Sequence, residues 1–131
     1  MKITVFVKGK SLPSYYADAV GEYIKRLSPY CRSSLVTYDA FADIQARLLR
    51  TYVIEVTKGK SSFTSVLFAD MLGKLMLDGI SSLSFVIGEE GLSFPRIALT
   101  SMSAGNGMMT YLLYEQLYRA FMINTGHPYH K

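Results

Sequence analysis

The side chains best suited to chemistry lie at the C-terminal end, in Gly126-His127-Pro128-Tyr129-His130-Lys131. Both histidines of the protein are in this segment, together with a phenol and an ammonium group. Imidazoles titrate near neutral pH and accept protons, while aromatic and basic side chains contact nucleic acids. The segment therefore favours a role in an active site or in a nucleic-acid contact. The alternative is a disordered tail, since chain termini are usually frayed.

The two histidines do not by themselves predict a metal site. A structural zinc site needs four ligands and a catalytic one three. The one cysteine, Cys31, lies far from His127 and His130 in the sequence. We therefore expect no metal.

Two glycine-containing loops are candidate ligand sites. Gly88-Glu89-Glu90-Gly91 follows the most apolar predicted strand, and ligands of open α/β sheets bind at the carboxyl ends of strands. A tight turn with two solvated carboxylates explains the same residues, and spacing alone favours that turn. The loop at 100–107 is equally ambiguous, because its small residues either wrap an adenine or simply connect a strand to a helix.

Two segments resemble parts of phosphate-binding motifs. Gly59-Lys60-Ser61 resembles the end of a P-loop, but Ile54 stands where the first glycine is required, so this motif is excluded. Gly105 and Gly107 open a predicted helix like half of a dinucleotide fingerprint. Thr110 occupies the third glycine position, so that signal is weak.

The apolar period alternates between two and about 3.6 residues, which predicts an α/β fold. The predicted strands are 2–7, 35–38, 52–56, 83–87 and a brief 97–99. The predicted helices are 16–27, 41–49, a third from Phe63 that stops at Gly79, and 108–124. This alternation favours a largely parallel sheet. No linker or repeat divides the chain, so residues 1–131 are expected to form a single domain.

Composition limits the class of protein. Half of the residues are hydrophobic and the net charge is +4, which permits an RNA partner without requiring one. No apolar run approaches the roughly 20 residues of a membrane span, and the first residues are typical of a strand rather than a signal peptide. A single cysteine excludes an internal disulfide and favours a reducing, cytoplasmic location.

The last predicted helix carries two apolar stripes where a surface helix needs one. The stripes are Met109, Leu112, Leu113, Leu117 and Ala120, and Tyr111, Tyr114, Tyr118 and Met122. A central helix covered on both sides by its own domain explains this pattern, but 131 residues leave little material to do so. We therefore favour a homodimer that meets along this helix, with Tyr114 and Tyr118 facing the partner.

The chain resembles a known family over most of its length. The residues that carry the resemblance are Phe85-Val86-Ile87-Gly88, Glu115-Gln116-Leu117-Tyr118-Arg119-Ala120-Phe121 and Pro128-Tyr129-His130-Lys131, with a start like Met1–Gly9. This pattern resembles the RlmH-type methyltransferases of the SPOUT superfamily. Members of that family methylate the N3 position of a pseudouridine in large-subunit ribosomal RNA.

The resemblance implies a fold, a cofactor and partners. The implied fold is a largely parallel sheet with helices on both faces and a C-terminal trefoil knot. The implied cofactor is S-adenosyl-L-methionine, bound in the knot. The implied partners are ribosomal RNA or the assembled ribosome and a second copy of the chain, with the active site at the subunit interface and no membrane.

The resemblance also assigns site residues. The cofactor positions that it implies are Val56, Gly88, Leu99, Thr100, Ser101, Met102, Ser103 and Ala104. The catalytic positions that it implies are Arg119, Tyr129 and His130, at the end of the chain where the family's tail meets substrate RNA.

This sequence departs from the family pattern around the cofactor positions. Only Gly88 stands where the family has a Gly-Gly pair, Gly105-Asn106 replaces a Pro-His pair, and Thr110 replaces an arginine. A helix of several turns is reduced to Leu92–Arg96. The runner-up interpretation is therefore a knotted homodimer that binds RNA or the ribosome with weakened or lost cofactor binding. A generic nucleotide-binding α/β protein is a third, and it predicts a monomer.

Overall fold

A five-stranded sheet forms the centre of the computed structural model, which describes residues 1–59, 63–102 and 104–129. The strands are β1 Lys2–Lys8, β2 Arg32–Tyr38, β3 Tyr52–Thr57, β4 Ser82–Ile87 and β5 Arg96–Ala98. Their order across the sheet is β2-β1-β4-β3-β5, and every neighbouring pair is parallel. The predicted parallel sheet and its brief fifth strand are confirmed.

Three α-helices and two short 3₁₀ helices connect the strands. They are α1 Ser14–Leu27, α2 Ser65–Leu77 and α3 Asn106–Asn124, with 3₁₀ helices at Phe41–Asp43 and Gln45–Arg50. The single short helix predicted over 41–49 is wrong in type. Only Ile44 and Leu48 of that stretch are buried, which is too little packing to stabilise so short an α-helix. Among the described residues, no helix has the length and apolar character needed to cross a membrane.

The two faces of the sheet are covered differently. Val5 and Phe85 point to the face on which all three α-helices pack and form the main core. Phe6 and Val86 point to the opposite face, where Leu48 of the second 3₁₀ helix covers them in a smaller core. Helices therefore lie on both faces, as predicted, but the α-helices share one of them.

Helix α3 is the middle helix of this layer and packs against both α1 and α2. Tyr114 and Met122 of its second stripe are buried in the chain's own core, at 0% and 3% exposure. Ser33 Oγ donates a hydrogen bond to the Tyr114 hydroxyl at 3.1 Å, which satisfies the phenol there. The prediction that Tyr114 faces a partner is therefore wrong, whereas Tyr118 remains partly exposed.

The start of α3 lies beside the carboxyl end of β1. From β5 at the sheet edge the chain passes β3 and β4, and the Asn106 amide donates to the Lys8 carbonyl oxygen at 3.0 Å. Gly107 lies against α1, where an added Cβ would come 2.7 Å from the Tyr16 ring. Close helix packing therefore accounts for this glycine, with no need for a bound phosphate.

Candidate functional site

A cavity of about 250 Å³ opens at the carboxyl ends of β3 and β4. Two of the predicted cofactor residues, Val56 and Gly88, line it. The full lining is Val56, Thr57, Lys58, Gly88, Glu89, Glu90, Asn106 and Met109. This is the edge of a parallel sheet where ligands of α/β proteins bind, because loops diverge there and leave a crevice.

Gly88 is the tightest point of this cavity. Its φ is +104°, in the region that side-chain-bearing residues rarely adopt. An added Cβ would lie 2.7 Å from Lys8 Cβ and 2.9 Å from Asn106 Nδ2. Any larger residue would strain the backbone and push β1 and the start of α3 away. A glycine is therefore required here by the fold itself.

Glu89 turns inward from the loop after β4. Its side chain is 13% exposed, and its carboxylate lies 3.2 Å from Lys8 Nζ. Burial and the neighbouring Glu89 carboxylate raise the pKa of the Tyr38 phenol. The expectation of two solvated carboxylates is therefore wrong for Glu89 and holds only for the exposed Glu90.

The loop after β5 borders a second cavity of about 250 Å³. Leu99 lines it together with Phe63, Thr64, Ser65, Phe68, Ile97, Ala98 and Gln116. Ala104 packs on the main core. Thr100 Oγ1 accepts a hydrogen bond from the Met102 amide at 3.1 Å, in a local turn. Met102 is 75% exposed.

The structure thus brings only part of the predicted cofactor set to a cavity. Val56 and Gly88 line one space and Leu99 lines another. Thr100, Ser101 and Met102 lie on the loop outside both linings. Ser103 lies outside the described residues.

Tyr129 of the C-terminal segment is held by an aromatic cluster. Its ring meets Tyr118 edge-on, with ring centroids 4.9 Å apart, and its hydroxyl lies 3.3 Å from the hydroxyl of Tyr23 on α1. Burial, followed by the hydrogen bond with Tyr129, raises the pKa of the Tyr23 phenol. Through Tyr129 the tail is therefore anchored on α1 and α3, and the expectation of a frayed end does not apply to it.

Arg119 lies beside the same cluster. Its guanidinium carbon is 5.3 Å from the centre of the Tyr129 ring. Its Nε donates to Glu115 Oε1 at 3.0 Å, one helical turn away. The charge of Arg119 is therefore shared with a carboxylate of its own helix. His130, the third predicted catalytic residue, lies outside the described residues.

The two predicted halves of the site lie at opposite ends of α3. Asn106, at the first turn, lines the cavity beside Gly88, whereas Arg119 and Tyr129 are near the last turns. Thirteen residues separate Asn106 from Arg119, which is about 20 Å along a helix. Within one chain, Gly88 and the predicted catalytic positions are therefore not adjacent, whereas Leu99 shares its cavity with Gln116, which is three residues from Arg119 on α3.

Three features of the site were missed at the sequence level. Lys8 lies just beyond the predicted strand 2–7, yet it pairs with Glu89. Tyr23 lies within the predicted helix 16–27, yet its hydroxyl meets the tail. Met109 was placed in a core stripe, yet it also lines the cavity. The ends of these elements meet only in the folded sheet, so local spacing carried no signal for them. Among the described residues, no three His, Cys, Asp or Glu side chains group as a metal site requires.

Residues 1–130 match the family described as predicted SPOUT methyltransferases. The chain belongs to this family. The match confirms the resemblance carried by the C-terminal residues. Because methyltransferases require a methyl donor, the cavity beside Gly88 is a candidate site for one.

Curated relatives extend the comparison across the whole chain. Ribosomal RNA large subunit methyltransferase H 1 of Thermoanaerobacter is 30% identical over 133 residues, covering all of both proteins. The methyltransferase H of Carboxydothermus hydrogenoformans is 33% identical over 159 residues, and that of Symbiobacterium thermophilum 34% over 161, again with full coverage of both. These two alignments are longer than the 131-residue chain, which therefore lacks segments that these SPOUT relatives have.

Proposed function

We propose that the protein transfers a methyl group from S-adenosyl-L-methionine to the N3 position of a pseudouridine in large-subunit ribosomal RNA. The observation that carries this proposal is the cavity between Val56 and Gly88, at the carboxyl edge of a sheet that belongs to the SPOUT methyltransferase family. The names of the relatives, all of them ribosomal RNA large subunit methyltransferases, support the substrate.

The residues around the cavity suit this cofactor. Val56 and Met109 offer apolar surface to an adenine, and Gly88 lets a ligand approach the backbone. Glu90 offers a carboxylate to a ribose hydroxyl or to a positively charged group, and Lys58 offers an ammonium to a carboxylate. When bound, S-adenosyl-L-methionine supplies a methyl group already activated by its sulfonium. The protein's task is then to position the two reactants and to accept a proton.

The active enzyme is a homodimer in this proposal. Arg119 lies about 20 Å along α3 from Asn106, which lines the cavity, and Tyr129 packs beside Arg119. In this proposal one chain therefore does not place them over a cofactor held beside its own Gly88. In a two-fold dimer with the α3 helices antiparallel, the tail of one chain reaches the cavity of the other. Tyr111, Leu112 and Tyr118 are partly exposed α3 side chains that such a contact would cover.

The tail then presents the substrate side of the site. Tyr129 is a rigid aromatic surface on which the target base can stack. Arg119 holds a phosphate oxygen when the RNA competes with Glu115 for its guanidinium. The N3 proton of the pseudouridine must leave as the methyl arrives, and His130 is the proposed acceptor. Since the substrate is ribosomal RNA, the protein works in the cytoplasm.

The C-terminal trefoil knot is part of the same proposal. Its support is the path of the chain from the edge strand β5, past β3 and β4, to Lys8 at the end of β1. Such a path crosses beneath the β3–α2 connection when the chain is knotted. A crystal structure whose backbone path is topologically unknotted would refute the knot.

A methyl-transfer assay tests the function directly. Purified protein is incubated with labelled S-adenosyl-L-methionine and ribosomes from cells that lack this enzyme. We expect label in large-subunit ribosomal RNA, and mass spectrometry of the nucleosides should identify N3-methylpseudouridine. A variant truncated after Gly126 should keep cofactor binding and lose transfer. Absence of transfer by the intact protein would contradict the proposal.

A second candidate function is a ribosome-binding homodimer that has lost its cofactor. One observation favours it: the Asn106 amide stands directly over Gly88, and the space for a ligand is divided into two cavities of about 250 Å³ each. Calorimetric titration with S-adenosyl-L-methionine separates the candidates. Saturable binding supports the methyltransferase, whereas no heat of binding together with retained ribosome binding supports this alternative.

A further inference from the structure

A chain of side-chain hydrogen bonds connects the second cavity to Arg119. Gln116 lines that cavity together with Leu99. Its amide nitrogen donates to Glu115 Oε2 at 2.8 Å. The other carboxylate oxygen, Glu115 Oε1, accepts from Nε of Arg119 at 3.0 Å and also from its Nη2. The two oxygens of one carboxylate are thus divided between an amide and a guanidinium, and Glu115 links Gln116 to Arg119.

The orientation of the Gln116 amide is fixed from its other end. Ser65, the first residue of α2, donates from its Oγ to Gln116 Oε1 at 2.7 Å. A flipped amide would turn its oxygen toward the Glu115 carboxylate, where two acceptors repel each other. The amide nitrogen is therefore held toward Glu115, and the packing of α2 against α3 sets this geometry.

The Glu115 carboxylate needs a partner at all times because it is mostly buried. Its side chain is 15% exposed. An RNA phosphate that draws Arg119 away removes the charged partner, and a buried charge left unpaired is strongly unfavourable. Gln116 donates to the oxygen that Arg119 does not use, so Glu115 keeps a hydrogen bond after the exchange. Gln116 thus lowers the free-energy cost of moving Arg119 from Glu115 to a phosphate.

We infer that Gln116 is a positioning residue, which holds Glu115 so that Arg119 can exchange this carboxylate for a phosphate of the substrate RNA. The inference rests on the proposed function for the identity of that phosphate. Gln116 itself touches neither the RNA nor the transferred methyl group, and acts only through Glu115 and Arg119. The competing role is direct contact with the cofactor, since Gln116 lines a cavity beside Leu99.

The test is binding of the full-length protein to ribosomes from cells that lack it, together with calorimetric titration of S-adenosyl-L-methionine. Gln116→Met keeps the length of the side chain and removes both hydrogen bonds. Gln45→Met makes the same change at an exposed residue of the second 3₁₀ helix and is the matched control. Gln116→Met should weaken ribosome binding about tenfold, as expected for one hydrogen bond to a charged group. Its affinity for S-adenosyl-L-methionine should be that of the wild type.

Second substitutions show whether Gln116 acts through its neighbours. In an Arg119→Ala background, Gln116→Met should weaken ribosome binding no further, because no guanidinium is left to exchange. In a Glu115→Gln background it should also have little effect, because the carboxylate that competes with the phosphate is gone. A merely structural role for Gln116 would weaken binding equally in all three backgrounds.

Three results would overturn the inference. They are wild-type ribosome binding by Gln116→Met, a loss that persists in the Arg119→Ala background, and a parallel loss of cofactor affinity, which would make Gln116 a cofactor ligand. Ser65→Ala loosens the same amide while leaving α3 unchanged, and it should weaken ribosome binding a few-fold even when Gln116→Met does not fold. Absence of methyl transfer by wild-type protein that binds ribosomes would instead refute the proposed reaction, and the binding measurements would still decide the role of Gln116.

Discussion

The two ends of α3 differ in how they are built. At its first turn, backbone and glycine surround a divided cavity whose inner carboxylate, Glu89, is paired with Lys8. At its last turns, aromatic rings fix the tail, and Tyr129 contacts both Tyr118 and Tyr23. The first end is shaped to admit a small molecule, whereas the second presents a firm surface. In the proposed enzyme these two ends are half-sites of different active sites, and α3 keeps them apart.

The strongest expected effect concerns the middle of that helix. Tyr114 is fully buried between the two ends and accepts a hydrogen bond from Ser33. Tyr114→Ala should lower the free energy of unfolding by about 3–5 kcal/mol, because it leaves a large cavity in the core. Urea unfolding measures this loss. Tyr111→Ala, on the partly exposed side of α3, is the control and should mainly weaken dimerisation. Equal stability losses in the two variants would show that Tyr114 is not a core residue.

The next largest effect is expected for a substitution at the cofactor end of α3. Gly88→Ala places a Cβ 2.7 Å from Lys8 in a backbone region unsuited to side chains. Strain of about 2 kcal/mol or more must be relieved by moving the cavity wall, which should weaken S-adenosyl-L-methionine about 30-fold. Calorimetry measures the change. Gly21→Ala, where an added Cβ meets nothing within 4 Å, should leave cofactor affinity intact. Unchanged affinity in Gly88→Ala would place the cofactor elsewhere.

A smaller effect is expected at the tail end. Tyr129→Ala removes an aromatic contact worth about 1 kcal/mol and a hydrogen bond of similar size. Methyl transfer should fall about tenfold, with cofactor affinity unchanged. Tyr129→Phe keeps the ring and should lose only a few-fold in rate. A wild-type rate of methyl transfer in the Tyr129→Ala variant would show that Tyr129 is not part of the active site.

The smallest effect is a pH dependence at the amino edge of the sheet. Burial raises the pKa of the Cys31 thiol to about 11, above its ordinary value of 9.0. The folded state therefore favours the neutral thiol, and the stability this provides is complete below pH 9 and is lost as pH rises toward 11. Between pH 8 and 9.5 the loss should be about 0.8 kcal/mol. Cys31→Ala should have a shallower decline over this range. Identical pH profiles would show that the thiol is not buried.

Much of the fold could be predicted because its signals are local. The predominantly apolar residues of β4 indicated a buried strand, and the terminal residues indicated the family. The environment of Tyr114 could not be predicted, because its partner, Ser33, is 81 residues away in the chain. The pairing of Glu89 with Lys8 likewise depends on strand order, since β4 lies beside β1 only in the folded sheet. Periodicity identifies which residues are apolar and does not tell a core neighbour from a partner subunit.

In the proposed dimer, each active site takes its cofactor cavity from one chain and its tail from the other. A mixed dimer tests this most directly. Gly88→Ala chains carrying one affinity tag and chains truncated after Gly126 carrying another are co-expressed, and the doubly tagged dimer is purified. Each parent homodimer should be nearly inactive. The mixed dimer holds one intact composite site and should recover about half of the wild-type methyl-transfer rate. A mixed dimer as inactive as its parents would show that the two chains do not share an active site.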